Sequence, residues 1–381
     1  MQLSRPETAL YGPEHEQLRD VVRSFIAGEL SPHLEAFEAD GKVSRQFWRR
    51  AGEAGLLCPG IPERFGGPEL DFSFNAVLNE EFSYAMSSDS LNLQSDITMP
   101  YLLHYASDEL NERYLPALLT GEVITAIAMT EPGAGSDLQS VRTTARRDGD
   151  HYIINGSKTY ITNGQNADLI IAVCKTDPDA GAKGTSLILI DADTPGFERG
   201  RNLDKVGQWS ADTSEMFFND VRVPVSNLLG QENRGFIYLV SELAQERLSI
   251  SITAQAAAQR AYDEAVAFVK ERKAFGKRVF DFQNTRFTLA DLASRLQVGW
   301  AHLDWAVARH VAGKLTVEEA AASKLWHTET QWLVVDAALQ LHGGAGYMNE
   351  YPIARLWRDA RVRRIYGGSS EIMKELMGRA L

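Results

Sequence analysis

His151-Tyr152-Ile153-Ile154-Asn155-Gly156-Ser157-Lys158-Thr159-Tyr160-Ile161 is where the chain changes character. β-branched and aromatic residues flank Asn155-Gly156, a pair that tolerates the positive φ of a tight type I′ turn, so the stretch predicts a β-hairpin. Leu169-Ile170-Ile171-Ala172-Val173 and Ser186-Leu187-Ile188-Leu189-Ile190 follow as short apolar runs with β-branched residues. Met216-Phe217-Phe218 and Val221-Arg222-Val223 come next, bounded by Asn219-Asp220 and Pro224. Short strands divided by turn signals predict a compact β domain over residues 126–234.

On both sides of it the apolar period becomes helical. In the N-terminal part, 1–125, Gly12-Pro13 opens a helix and Ser31-Pro32 closes it, with Leu18, Val21, Val22, Phe25 and Ile26 at helical spacing. Phe47, Trp48, Ala51 and Leu56 suggest a second helix, and Asp108 to Leu119 another, closed by Thr120-Gly121. In the C-terminal part, 235–381, helices are expected over Phe236–Arg272, Leu289–Ala312, Val317–Leu341 and Ser370–Arg379. These stripes read as core. No repeat or low-complexity linker separates the three parts, so they are expected to pack as one unit. The fold class is mainly α with a central β domain.

The 381 residues suit two or three domains. With 44% hydrophobic and 24% charged residues the chain is an ordinary globular one, which excludes bulk disorder and fibres. A net charge of −12 argues against nucleic acid, which is bound through cations, and no basic patch suits anionic lipid. No apolar run approaches the roughly 18 residues of a membrane span. Met1-Gln2-Leu3-Ser4-Arg5-Pro6-Glu7 has no apolar core and already carries acid, so no signal or transit peptide is expected. Cys58 and Cys174 stand far apart, which excludes a disulfide framework or a cysteine-rich metal site and makes a reducing cytoplasm the default. No metal is expected.

Four segments look like chemistry. In Met129-Thr130-Glu131-Pro132-Gly133-Ala134-Gly135-Ser136-Asp137, small residues let backbone N–H groups approach a ligand, and two hydroxyls add directed hydrogen bonds. Tyr160 and Thr162 share one face of a strand, either against a flat ring and its edge or simply facing solvent. Gln340-Leu341-His342-Gly343-Gly344-Ala345-Gly346-Tyr347 stops a helix and exposes backbone; His342 reads as a packed histidine. Finally, Ile365-Tyr366-Gly367-Gly368-Ser369-Ser370-Glu371-Ile372 leads a Gly-Gly turn into a Ser-capped helix, a good place for an anion.

Taken together, these segments resemble the acyl-CoA dehydrogenase family. The 129–137 segment looks like its first signature, the stretch from Gln340 to Glu371 like its second, and Arg272-Lys273-Ala274-Phe275-Gly276 with Gln283 like a third. The resemblance implies the helical, β-barrel and helical-bundle architecture of that family, and FAD as cofactor. By resemblance, Ile127, Ala128, Met129, Thr130, Gly133, Ala134, Gly135 and Ser136 line the flavin, with Ser136 also near the CoA arm. Tyr160, Ile161 and Thr162 cover the isoalloxazine ring. Arg272, Phe275 and Gln283 meet the FAD of a neighbouring subunit, as do Gln340, Leu341, His342, Gly343 and Gly344. Ser369, Ser370 and Glu371 reach FAD within the first subunit. That arrangement implies a homo-oligomer, a tetramer in this family.

One departure carries more information than the matches. Many family members place their catalytic glutamate in Ile-Tyr-Glu-Gly-Thr, where this chain reads Ile365-Tyr366-Gly367-Gly368-Ser369. Glycine cannot take a proton. Elsewhere, Leu239, Leu243, Glu246 and Ile250 fall on one helix face, which puts Glu246 in an apolar stripe where an unpaired carboxylate is costly. Glu246 is either a base or half of an ion pair with an arginine. Leu243-Ala244-Gln245-Glu246-Arg247-Leu248 resembles the long-chain and isovaleryl subset of the family, whose base lies on this helix.

The resemblance implies that Glu246 removes the α-proton of an acyl-CoA while the β-hydrogen leaves as hydride to flavin N5, giving a trans-2-enoyl-CoA. The Gly367 N–H and a ribityl hydroxyl would hold the thioester carbonyl. Substrate contacts are implied for Ser136, Lys183, Ala244, Gln245, Arg247, Gly367 and Gly368. An electron-transferring flavoprotein is the implied electron acceptor. A same-fold oxidase, or a dehydrogenase of carrier-protein-bound or branched acyl groups, stays open. Ala254, Ala256, Ala257 and Ala258 leave either depth for a long chain or, the better single reading, close helix packing.

Overall fold

The structure, a computed structural model, describes residues 5–88 and 91–381. Met1–Ser4, part of the stretch read for targeting signals, lie outside the described residues. Polar caps set where half of the N-terminal helices begin. Pro13 opens α1 (Pro13–Phe25), which runs into a π-helical turn at Ile26–Leu30 and so reaches the expected stop at Ser31-Pro32. α2 (Leu34–Asp40) follows and ends at Gly41. Ser44 accepts the Phe47 N–H ahead of α3 (Arg45–Glu53), and Asp71 accepts the Ser73 N–H ahead of α4 (Phe72–Tyr84). Leu56 lies beyond the end of α3. α5 (Met99–Tyr105) precedes α6 (Asp108–Leu119), which Ser107 caps.

The central strands are β1 (Thr125–Ala128), β2 (Thr144–Asp148), β3 (His151–Thr162), β4 (Leu169–Lys175), β5 (Thr185–Asp191), β6 (Phe197–Asn202) and β7 (Thr213–Pro224). They form one curled seven-stranded sheet in the order β1-β4-β2-β3-β7-β6, with β5 paired to β4. β1 and β4 run parallel, while β3 pairs with both β2 and β7 antiparallel.

Two sequence expectations change here. Asn155-Gly156 is not a turn: β3 runs straight through it, with a register shift between Ile154 and Gly156 against β7. A Cβ at Gly156 would collide with Thr143, so glycine serves close packing of a bulge rather than a hairpin. The chain reverses earlier, at Gly149, between β2 and β3. Likewise the Met216 and Val221 runs are one strand, β7, bent at Asp220, which has φ +51°.

The C-terminal helices are α7 (Gly235–Glu271), α8 (Gln283–Val311), α9 (Val317–His342), α10 (Pro352–Ala360) and α11 (Ser370–Gly378). A Thr316–Glu319 capping box starts α9 and Ser369 caps α11. α2, α4, α5 and α10 are not among the helices expected from the sequence.

Burial ties the three parts together. Alternate residues of the sheet, Leu169, Ile171, Val173, Leu187 and Leu189, share a core with Val22, Trp48, Leu115 and with Leu239 of α7. The intervening Ile170, Ala172, Cys174, Ile188 and Ile190 pack on Met216 and Phe218 inside the curl. Leu248 and Ile252 of α7 meet Phe72 of α4 and Trp300 of α8. Ala257 and Ala258 pack against α8 and α9, the close packing expected of them. Among the described residues, no helix is long and apolar enough to cross a membrane.

Candidate active site

The loop after β1 is clamped from below. Glu131 closes a tight turn with Ala134, its N–H donating to the Ala134 carbonyl at 2.9 Å and its carbonyl accepting the Ala134 N–H at 3.1 Å. Its carboxylate accepts the Arg142 and Thr143 N–H groups at 2.7 and 2.9 Å and the Lys158 ammonium at 2.9 Å. Lys158 is 1% exposed and also donates to the Met129 and Val173 carbonyls. Burial lowers its pKa while Glu131 opposes that shift. The turn therefore presents Gly133, Gly135 and Ser136 outward, and nothing lies within 4 Å of a Cβ position at either glycine.

Beside this loop, β3 leaves its ladder for two residues. The register shifts between Lys158 and Ile161, and the Thr159 N–H goes to the Thr130 carbonyl at 2.9 Å. Tyr160 takes φ +59° and is 68% exposed. A non-glycine residue in that region is strained, and bulges of this kind re-aim side chains next to ligand sites. Ile161 is buried between Tyr160 and the half-buried Thr162.

The second locus joins α7 to the turn before α11. Gly367 and Gly368 have φ +62° and +92°. A Cβ at Gly367 would overlap Ile250 Cδ1, and would lie 3.2 Å from Glu246 Oε1 and 3.5 Å from Lys324 Cε. The carboxylate on α7 thus ends where a side chain at position 367 would begin. Glu246 is half-buried and makes no salt bridge among the described residues, so the arginine-paired reading does not hold. Burial raises its pKa, partly countered by Arg247 and Lys324. Arg247 is buried, with its Nε unpartnered. Gln245 uses both amide ends, donating to the Asp96 carbonyl and meeting His310 Nε2. Ala244 is half-buried beside it, and Lys183 is exposed on the segment leading into β5.

At the turn into α11, Ser369 accepts the Ile372 N–H, and the buried Ser370 donates to Glu329 at 2.7 Å. Glu371 is exposed. A separate cleft of about 400 Å3 is lined by Arg272, Gln340, Leu341, His342, Gly343 and Gly344. His342 is buried and stacks on Phe268 at 4.3 Å, a packed histidine on the cleft wall. Phe275 is 95% exposed, and Gln283 is exposed at the start of α8. None of Tyr160, Thr162 or Ser369 lines that cleft.

Models of the acyl-CoA dehydrogenase N-terminal, middle and C-terminal domains match residues 12–122, 126–221 and 233–381. The chain belongs to the acyl-CoA dehydrogenase family. It is 46% identical to the long-chain specific acyl-CoA dehydrogenase, mitochondrial, of Sus scrofa, over 98% of this chain and 87% of that one. The crystal structure of an acyl-CoA dehydrogenase from Geobacillus kaustophilus superposes with a TM-score of 0.97 at 47% identity, covering 98% of this chain and 99% of the other. A glutaryl-CoA dehydrogenase from Mycobacterium smegmatis, solved in complex with FADH2, gives 0.89 at 26% identity, covering 97% and 95%. Reductases and oxidases also occur among the relatives.

As an acyl-CoA dehydrogenase family member, the chain is a flavin-dependent oxidoreductase of acyl-CoA and fatty-acid metabolism, and its cofactor is FAD. The local structure fits that group: glycine backbone open on its Cβ side, an exposed tyrosine on a bulge, and an uncovered cation at Arg272. Two residues escaped the sequence reading. Lys158 and Lys324 are each buried at 1% exposure. Lys324 had a legible signal, since it shares a stripe with the buried Ala320, Thr328, Gln331 and Val335.

Lys158→Met should loosen the first loop. It leaves Glu131 as a buried carboxylate without its cation, a change worth roughly 3–5 kcal/mol. The purified variant is expected to lose most of its flavin on gel filtration, read from the visible-to-protein absorbance ratio. A wild-type ratio would show that the ion pair does not hold the loop.

Proposed function

We propose that this chain oxidises a saturated acyl-CoA to its trans-2-enoyl-CoA with Glu246 as the base. The observation that supports it most is the convergence of Glu246 Oε1 on the Cβ position of Gly367, 3.2 Å away. The family's usual base position is glycine here, and a carboxylate reaches the same place from α7. Burial raises the Glu246 pKa, which brings a carboxylate nearer the strength that α-proton removal needs. The Gly367 N–H survives the loss of a side chain and can donate to the thioester carbonyl as charge develops. Ser136, Lys183, Ala244, Gln245, Arg247 and Gly368 are the proposed surroundings of the substrate. FAD, when bound, supplies the acceptor for the β-hydride.

The residues proposed for FAD fall in two places. Ile127–Ser136, Tyr160–Thr162 and Ser369–Glu371 serve the protomer's own cofactor. Arg272, Phe275, Gln283 and Gln340–Gly344 lie around or beyond a separate cleft, which suits a cofactor shared across a homotetramer. We assign the protein to the cytoplasm, with an electron-transferring flavoprotein as acceptor.

The test is anaerobic bleaching of the bound flavin with a panel of acyl-CoA thioesters. Stoichiometric bleaching by at least one saturated acyl-CoA, with the 2-enoyl-CoA as product, is expected. A panel that leaves the flavin oxidised, or turnover matched by hydrogen peroxide, would overturn the dehydrogenase reading.

A further inference from the structure

We propose that Lys324 is a positioning residue of this site: it anchors the Gly367-Gly368 turn and sets the ionisation of Glu246. The inference rests on Glu246 being the base. It begins from three observations. The Lys324 ammonium donates to the Gly368 carbonyl. Its Cε and Glu246 Oε1 approach one point, the Cβ position of Gly367, at 3.5 and 3.2 Å. Its side chain, reaching in from α9, is 1% exposed.

A buried ammonium is costly unless it is hydrogen-bonded and faces a negative charge. Here the Gly368 carbonyl supplies the bond and Glu246 the charge. The bond in turn holds a turn whose two residues both sit at positive φ, a conformation that glycine adopts without penalty but also leaves easily. With that carbonyl tethered, the neighbouring Gly367 N–H keeps a fixed direction, as a preorganised donor requires.

The second effect is electrostatic. The titratable and charged groups acting on Glu246 are Arg247 on its own helix, Lys324 from α9 and Tyr101 from α5. Tyr101 is buried and its phenol is held neutral by burial and by Glu246 and Glu242. Arg247 carries a fixed charge. Lys324 is the one whose charge titrates near neutrality: burial and Arg247 pull its pKa down to about 8, against Glu246. Below that value the ammonium favours an ionised Glu246, so the base is available at lower pH than burial alone would permit.

The experiment follows the pH dependence of flavin reduction in FAD-loaded wild type, Lys324→Met, Lys324→Gln and Lys324→Arg. Binding of a 3-oxoacyl-CoA gives a readout without turnover, because deprotonation of its acidic α-carbon appears as enolate absorbance. Both neutral variants should move the acid limb to higher pH by about one unit or more, in reduction and in enolate formation alike. Lys324→Arg should return it toward the wild-type position. Lys324→Gln keeps a donor for Gly368 and should hold a higher plateau rate than Lys324→Met. A purely structural lysine would lower the plateau and leave the limb in place, and that result overturns the proposal. The Glu246→Gln variant separates the two readings. If it is inactive while the Lys324 limb stays put, only the lysine role fails. If it reduces flavin at the wild-type rate, the base assignment fails and takes the lysine role with it.

Discussion

Glu246→Gln should retain FAD and acyl-CoA binding and lose about 10²–10⁴-fold in the rate of flavin reduction. Glutamine matches glutamate in shape but cannot accept a proton. No second carboxylate stands in for Glu246: Gly367, the position where other family members carry one, offers no side chain. The raised pKa of Glu246 fixes the sign of the pH dependence. The wild-type rate should climb as pH rises through that value, because only the ionised carboxylate is a base. The variant should lack this limb. Anaerobic stopped-flow at saturating acyl-CoA reads both effects, and a wild-type rate in Glu246→Gln would remove Glu246 from the mechanism.

Moving the base back to position 367 should fail until space is made for it. On sequence alone, Glu246→Gln with Gly367→Glu should recover part of the lost rate, since both positions approach one α-carbon. The geometry adds a condition. A Cβ at residue 367 overlaps Ile250 Cδ1, and φ +62° strains any side chain there. The double variant is therefore expected to stay within about threefold of Glu246→Gln, well under one factor of ten. Adding Ile250→Ala removes the overlapping atoms, and the triple variant should gain at least about tenfold, the equivalent of 1.4 kcal/mol in barrier. Full recovery in the double variant would mean that the turn relaxes freely and that Ile250 sets no limit. No gain in the triple variant, with FAD retained, would mean that the two positions do not serve the same reacting atom.

Legibility in the sequence followed the range of the interactions involved. α6 matches the span read from its period, because Ser107, the apolar stripe and Thr120-Gly121 are all local signals. α7 likewise begins and ends within a residue of its expected bounds. The hairpin expected at Asn155-Gly156 does not form, for the opposite reason. Whether a glycine turns the chain or admits a neighbour depends on Thr143 across the sheet, which no window around residue 156 contains. Tyr160 shows the same limit: its exposure and positive φ arise from a ladder that Thr159 abandons for Thr130.

By itself, the sequence determined the helix–sheet–helix order, the family, the cofactor class and the candidate base, since each is written in spacing or motif along a few residues. That Glu246 is unusual could be read from one helix face. Where its carboxylate ends could not, because Glu246 and Gly367 are more than a hundred residues apart in the chain. Only the tertiary structure decided that Glu246 Oε1 and Lys324 Cε meet at the empty Cβ position of Gly367. It also decided that Lys158 and Lys324 are buried. A lysine's sequence neighbours set its helix or strand, but the depth at which its ammonium must find partners is set by elements packed from elsewhere.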